Sequence, residues 1–263
     1  MATAGIVALG LNPAYAADYT QKDLNEQSVM ALAWTQTSAE YRALCYQAYN
    51  TALERVAYAV AHHQKSDRPL AIVLDIDETV LNNSPDSVRF LGTEKCFNYD
   101  DWNEWCIAAE AEAMPGATDF LKAVDKMGVD IFYVSNRTER KGTVKNMKAV
   151  GFPLADDKHL LLKEKSSHKQ ERFSQVAKDY DVIVYMGDNA GDWLPETYHK
   201  SFTERSNIAD QHQKDFGTKF IVLPNAHYGD WEGALADNYW QLTPKEKSEA
   251  RKKVLKGWKP RKK

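Results

Sequence analysis

Asp75 and Asp77 stand two residues apart at the end of the apolar run Ala71 to Leu74. A bounded apolar run reads as a buried strand, and acids at this spacing on an extended chain share one face. Carboxylates released where a strand leaves the core can bind a cation, attack an electrophile or move a proton. A solvated strand end is the plain alternative. An EF-hand calcium loop is set aside: it needs a third oxygen ligand and a glycine where this chain has Thr79 and Val80, and it follows a helix rather than Ile72-Val73-Leu74.

Three later stretches carry compatible groups. Ile131 to Val134 is another apolar run, and it ends in Ser135 and Asn136. A hydroxyl at a strand end beside a helix start suits a phosphate oxygen, and it suits a helix cap equally. The stretch KEKSSHKQERF offers Lys163, Lys165 and Lys169. With Ser166 or Ser167 as N-cap, Lys169 falls in the first helical turn, where a cation is unfavourable unless an anion compensates. Val182 to Gly187 then runs into Asp188 and Asp192. Acidic strand ends at 75 and 188 repel each other unless a cation lies between them, and hard oxygen donors around a phosphate suit Mg²⁺.

Other chemistries are poorly served. The chain has no GxSxG, HExxH, GxxxxGK[ST] or GxGxxG, and none of its seven histidines falls at ligand spacing with an acid. Cys45, Cys96 and Cys106 form no CxxC, which argues against zinc, and a pairing of Cys96 with Cys106 stays open.

Taken together, DIDETVL, SNR, the lysine-rich stretch and GDNAGDW resemble the four motifs of the haloacid dehalogenase superfamily. The wording DIDETVL, the segment SAEYRALCYQAYN and the stretch LPNAHYGDWEG look most like the class C (bacterial nonspecific) acid phosphatases, a lipoprotein-type group that includes 5'-nucleotidases. The resemblance spans about residues 30 to 240. It implies Asp75 as nucleophile and Asp77 as general acid and base. It also implies Ser135, Asn136 and Lys169 as phosphate-binding groups. Mg²⁺ would be held by Asp75, Asp188 and the Asp77 backbone carbonyl, with Asp192 behind them or bound through water. Trp102 and Tyr228 would flank an aromatic leaving group, though either is equally explained by packing. Asp86 departs from the resemblance, since class C proteins often carry an aromatic residue there.

These residues need a scaffold that delivers strand ends to one place. From residue 67 to 243, strands at 70–75, 129–135, 158–162, 181–187 and 219–223 alternate with helices near 117–127, 138–149, 168–179 and 232–238. Such alternation predicts an α/β fold with a parallel sheet covered by helices on both faces. The resemblance adds a Rossmann-like three-layer sandwich with strand order 5-4-1-2-3. Residues 82–113 form a long insertion rich in aromatics and are expected to be a small helical cap. Residues 17–66 read as an N-terminal helical extension, with a capping box at Thr37 and Glu40 and the apolar face Tyr41, Leu44, Cys45, Ala48, Ala52, Val56 and Val60. That face is expected to pack on the main domain, with a homodimer contact as the second possibility.

Residues 1–16 end in Ala14-Tyr15-Ala16 after an apolar stretch, which reads as a signal peptide and implies a periplasmic or secreted protein. No other run approaches the length of a membrane span, and no cysteine follows the apolar run closely enough for a lipid anchor there; outer-membrane association stays open. Residues 244–263 hold ten Lys or Arg against two Glu, a local balance of +8, so the remainder of this −3 chain totals −11. The basic tail reads as a solvated face rather than a site for nucleic acid, and an acidic body must attract a phosphate substrate locally. The expected activity is Mg²⁺-dependent hydrolysis of small phosphomonoesters, aryl phosphates and nucleoside monophosphates among them. Phosphotransfer to an alcohol on the same scaffold, or a non-catalytic surface protein that binds nucleotides, are the alternatives.

Overall fold

The computed structural model describes residues 18–64 and 67–259, so the expected signal peptide lies outside the described residues. The chain opens with helices α1 (Gln21–Glu26), α2 (Val29–Thr37) and α3 (Ala39–His62), then enters strand β1 (Leu70–Leu74). The short strand β2 (Leu81–Asn82) leads to α4 (Ser84–Val88) and α5 (Tyr99–Ala108), and β3 (Glu112–Ala113) returns from them. Next come α6 (Ala117–Lys126), β4 (Asp130–Ser135), α7 (Arg140–Ala149), β5 (Leu160–Leu162), α8 (Gln170–Asp179) and β6 (Asp181–Gly187). The chain continues through α9 (Phe202–Gln211), β7 (Phe220–Val222), α10 (Asp230–Gly233) and α11 (Pro244–Lys253).

The main sheet has the order β5-β4-β1-β6-β7, with every neighbouring pair parallel. Counted along the chain and read from the other edge, this is the expected 5-4-1-2-3. Its two faces follow from the period of two along each strand. Ile72 and Leu74 of β1 pack with Ile131, Tyr133, Val184 and Met186 against α3 and α6. Ala71 and Val73 point the other way and pack with Phe132 and Val134 against Phe173 and Val176 of α8. Strands buried on both faces read as unbroken apolar runs, which is why β1 and β4 stand out in the sequence.

Helix α3 is one of the layers of the sandwich. Tyr41, Cys45, Ala48, Tyr49, Ala52 and Val56 fall at helical spacing and are buried in the larger core, whereas Leu44, counted in the expected face, is exposed and Val60 is only partly buried. Its start differs from the sequence reading: Ser38, in extended conformation, is the N-cap and accepts from the Tyr41 amide at 3.0 Å. Thr37 instead closes α2, its hydroxyl donating to the Ala33 carbonyl at 2.6 Å. The basic segment also has structure. Residues 244–253 form α11, capped by Thr243 and Glu246 and packed on α1, where Gln27 bonds the buried Ser248. Arg251 pairs with Glu232 at 2.6 Å.

The insertion leaves and re-enters the core through the antiparallel pair β2 and β3, with α4 and α5 beyond it. Cys96 is exposed, Cys45 and Cys106 are buried, and all three thiols are free. Among the described residues, no helix is long and apolar enough to cross a membrane.

Tyr49 ties the α3 layer to the loop after β1. Its ring stacks on Phe120 at 5.2 Å, and its hydroxyl donates to the Thr79 carbonyl. Tyr49→Phe keeps the ring and orphans that buried carbonyl, so it is expected to lower unfolding stability by about 1–3 kcal/mol. Equal denaturant midpoints and slopes for wild type and variant would show that this bond contributes nothing.

Candidate active site

β1 lies at the middle of the sheet, and the chain first builds outward on one side of it through β4 and β5, then on the other through β6 and β7. A crevice opens at such a switch point beyond the carboxyl ends of the strands. Asp75 follows β1 there, its amide bonded to the Met186 carbonyl of β6 at 3.0 Å. The chain then turns tightly, with the Val80 and Leu81 amides both donating to the Ile76 carbonyl at 2.9 Å. Glu78 takes the left-handed conformation (φ 52°) that this turn demands.

β6 delivers Asp188 and Asp192 to the same crevice. Thr79 donates to one Asp188 oxygen at 3.3 Å and Asn225 to the other at 2.9 Å. Asp192 folds back over Gly187, where any Cβ would overlap its carboxylate, so glycine is required for this approach. The Asn189 amide holds one Asp192 oxygen at 2.9 Å. One oxygen each from Asp75, Asp188 and Asp192 lie within 4.8 Å of one another. Asp192, expected behind the ligands, thus shares their cluster.

Lys169 enters this group from below α8, occupying the N-cap position rather than the first turn. No side chain caps that helix, so neither Ser166 nor Ser167 plays the expected part. The Lys169 ammonium is 4% exposed and sits 2.7 Å from Asp75 and 2.6 Å from Asp192. Burial works to lower its pKa, but Asp192 and Asp75 outweigh burial and the lysine stays charged.

One ammonium does not balance three carboxylates. Burial first, then Asp192 and Asp77, pushes the Asp75 carboxyl up to about 7 against the opposing pull of Lys169. Burial, with Asp192 and Asp75 beside it, raises Asp188 well above the usual range. An all-oxygen donor set of excess negative charge, with no His or Cys, fits a hard divalent cation and not zinc.

The expected phosphate groups line the β4 side of the crevice. Ser135 is fully buried, and its hydroxyl oxygen accepts from the Arg137 amide at 3.2 Å. Asn136 is exposed, with its side-chain oxygen held by Arg172 at 2.8 Å; Arg172 also grips the Ser135 carbonyl at 2.6 Å. Asp77 stands apart from the three-carboxylate cluster. Arg137 donates to its Oδ1 through Nε at 2.8 Å and approaches it through Nη2 at 2.7 Å, and Asn83 donates to the same oxygen at 2.9 Å.

Of the two aromatic candidates, Trp102 lies on α5 with its ring 5.4 Å from the Arg137 guanidinium, whereas Trp105 packs against the main core. Tyr228 donates its hydroxyl to Glu78, which also accepts from the Asn83 amide at 2.6 Å. Glu78 is completely buried, and burial, with Asp77 adding to it, pushes its carboxyl up to about 8.

Several groups around the site were not singled out from sequence: Asn83, Glu78, Arg137, Arg172 and Asn225. The signal available for Arg137 was its place two residues after Ser135, at the end of a buried strand. Asn225 followed the apolar run of β7 in the same way.

A family model described as HAD superfamily, subfamily IIIB (acid phosphatase) matches residues 6–231. The chain belongs to this family. A solved class C acid phosphatase from Bacillus anthracis is 40% identical, with a TM-score of 0.85 over 90% of this chain and 99% of that one. A second structure of that enzyme, with tungstate bound, matches equally well. Acid phosphatase 1 of Solanum lycopersicum is 25% identical over 173 residues, which span 60% of this chain and 66% of the tomato protein.

The raised carboxyls of the site make a measurable prediction. Asp75 and Glu78 hold protons in the fold up to about 7 and about 8, against ordinary values of 3.8 and 4.5. Between those limits the metal-free fold binds more protons than the unfolded chain, so its stability falls as pH rises. For chelated protein, the melting midpoint should drop from about pH 5 to about pH 8, and drop less in Asp188→Asn. A divalent cation should raise the midpoint more at the higher pH. An equal cation effect at both, or identical slopes for wild type and variant, would show that the carboxylates do not carry this strain.

Proposed function

We propose that this protein is an exported, Mg²⁺-dependent phosphomonoesterase that works through an aspartyl-phosphate. The observation that carries the reading is the meeting of Asp75, Asp188 and Asp192 around the buried Lys169 at the carboxyl ends of β1 and β6. Asp75, Asp188 and the Asp77 carbonyl would hold the cation, with Asp192 among the oxygens close enough to join them. When bound, Mg²⁺ supplies positive charge that draws these acids into their ionised form and offsets charge on the phosphoryl oxygens. Tungstate in the Bacillus anthracis relative supports the reading, because it is a tetrahedral oxyanion of the same kind as phosphate.

In the first step an Asp75 oxygen attacks phosphorus and the P–O bond to the leaving group breaks. Asp77 gives its proton to the departing oxygen. In the second step Asp77 takes a proton from water, the water oxygen attacks phosphorus, and the Asp75–phosphorus bond breaks. Splitting one displacement into two is the gain from a covalent intermediate. Ser135, Asn136 and Lys169 receive the phosphoryl oxygens, donors set in place before charge develops on them. The ring faces of Trp102 and Tyr228 favour aryl phosphates and nucleoside monophosphates, since stacking on an aromatic side chain contributes about 1–3 kcal/mol per base. Export rests on the Ala14-Tyr15-Ala16 site.

Hydrolysis of p-nitrophenyl phosphate should vanish in Asp75→Asn, stop on chelation and return with Mg²⁺. Asp77→Asn should lose about 10² to 10⁴-fold on alkyl phosphates and accumulate phospho-enzyme with p-nitrophenyl phosphate, whose leaving group hardly needs a proton. Near-wild-type turnover of Asp75→Asn, or full activity after exhaustive metal removal, would overturn the proposal. Transfer of the phosphoryl group to added glycerol in preference to water would favour the phosphotransferase instead.

A further inference from the structure

The Asp77 carboxylate is bonded on one side only. Arg137 Nε, Arg137 Nη2 and Asn83 Nδ2 converge on Oδ1, while no described residue bonds Oδ2. Rotation of an aspartate about χ2 exchanges its two oxygens, and two hydrogen bonds and a close guanidinium contact on Oδ1 oppose that rotation. Bonds from a charged donor are the strong kind, and here the guanidinium is 1% exposed, out of competition with water. Burial works against its charge, but Asp77 outweighs burial and keeps Arg137 protonated.

The holders of Asp77 are themselves held by the cap. Arg137 Nη2 donates to Asn83 Oδ1 at 3.0 Å, and the Trp105 indole N–H donates to that same oxygen at 2.8 Å. This fixes the Asn83 amide so that its nitrogen faces Asp77. The Trp102 ring lies against the guanidinium at 5.4 Å, within the range of a cation–π contact. Both tryptophans belong to α5. That helix is seated closely on α7, because Gly142 has no Cβ to strike the Cys106 carbonyl. Thr143 of α7 completes the guanidinium cage at 3.4 Å.

We propose that Arg137 and Asn83 are positioning residues that aim Asp77 Oδ2 at the leaving-group oxygen, and that α5 sets their geometry through Trp102 and Trp105. Asp77 sits on a turn and has no strand to orient it, so its direction has to come from side chains. The Arg137 fork supplies direction in a way that a lysine point charge does not. Trp102 then serves every substrate through Arg137, beyond any stacking on an aromatic group. The proposal rests on Asp77 acting as the proton donor.

The test compares Asp77→Asn, Arg137→Lys and Trp105→Phe on glycerol phosphate and p-nitrophenyl phosphate, with kcat and KM measured separately. Misplacement of a reacting group by about 1 Å costs on the order of 10²-fold. Arg137→Lys should therefore lose about that much kcat on glycerol phosphate and clearly less on p-nitrophenyl phosphate, with KM nearly unchanged. Trp105→Phe, which removes the indole N–H together with part of the ring that packs on the core, should show the same pattern with a smaller loss. In the Asp77→Asn background both changes should add almost nothing, since groups acting through one residue are non-additive. If Asp77→Asn itself shows no leaving-group dependence, the proton-donor reading fails. If Asp77→Asn shows it and the other two lose equally on both substrates, or lose through KM, the positioning proposal fails while that reading stands. Should Arg137→Lys not fold, Trp105→Phe decides by the same criterion.

Discussion

The arrangement depends on a single buried ammonium among carboxylates. Lys169 touches Asp75 and Asp192 at hydrogen-bond distance, almost out of contact with water. A buried ion pair gives little net stability, yet removing one partner leaves an uncompensated charge at a cost of about 3–5 kcal/mol. Here the imbalance already exists, since Asp188 brings a third carboxylate to the same point. The fold therefore holds together groups that repel one another, and the strain appears as raised carboxyl pKa values. A bound cation would relieve it by balancing the acids.

Only a rigid frame can hold such a cluster. Asp75 and Asp188 follow neighbouring strands whose amides and carbonyls are paired up to the strand ends, so neither can retreat far from the other. Ser135 ends the strand on the opposite side of β1, in register with it through Leu74 and Tyr133. Three adjacent parallel strands thus deliver Asp75, Asp188 and Ser135 to one edge of the sheet. Helices on both faces leave that edge as the open one. Gly187 adds the remaining condition by letting Asp192 fold onto the end of β6.

How much of this was legible depended on where each residue lay. Asp75, Ser135 and Asp188 end apolar runs, and a polar group closing a buried strand is visible in any sequence. Lys169 was legible through its expected place at a helix start, although it proves to be the N-cap itself. Arg137 and Asn83 were not legible in their roles, because what matters is convergence on Asp77 from positions 60 and 6 residues away. Helix α9 escaped for a different reason: it buries no residue, so no apolar period marks it, and only the Ser201 and Glu204 capping box announces its start. At Thr37 the pattern was right and the register wrong by one, since Ser38 offers the same hydroxyl and alone takes the extended backbone of a cap.

Glu78 shows how an acid in the loop after β1 can be structural in every visible respect. It lies between Asp77 and Thr79, completely buried, on left-handed backbone that a non-glycine residue enters only when its surroundings insist. One carboxyl oxygen accepts from the Asn83 amide and the other from the Tyr228 hydroxyl. With its carboxyl pushed up to about 8, Glu78 stays largely protonated at neutral pH and adds little to the negative charge around Asp75. The same bond satisfies the polar end of Tyr228 inside the protein, so what this residue can offer a ligand is its ring. A tyrosine anchored through its hydroxyl keeps its ring in a fixed orientation, which lowers the ordering cost of any contact that ring makes. The acid that could be mistaken for a third catalytic carboxylate thus acts by joining the loop after β1 to the rim loop that carries Tyr228.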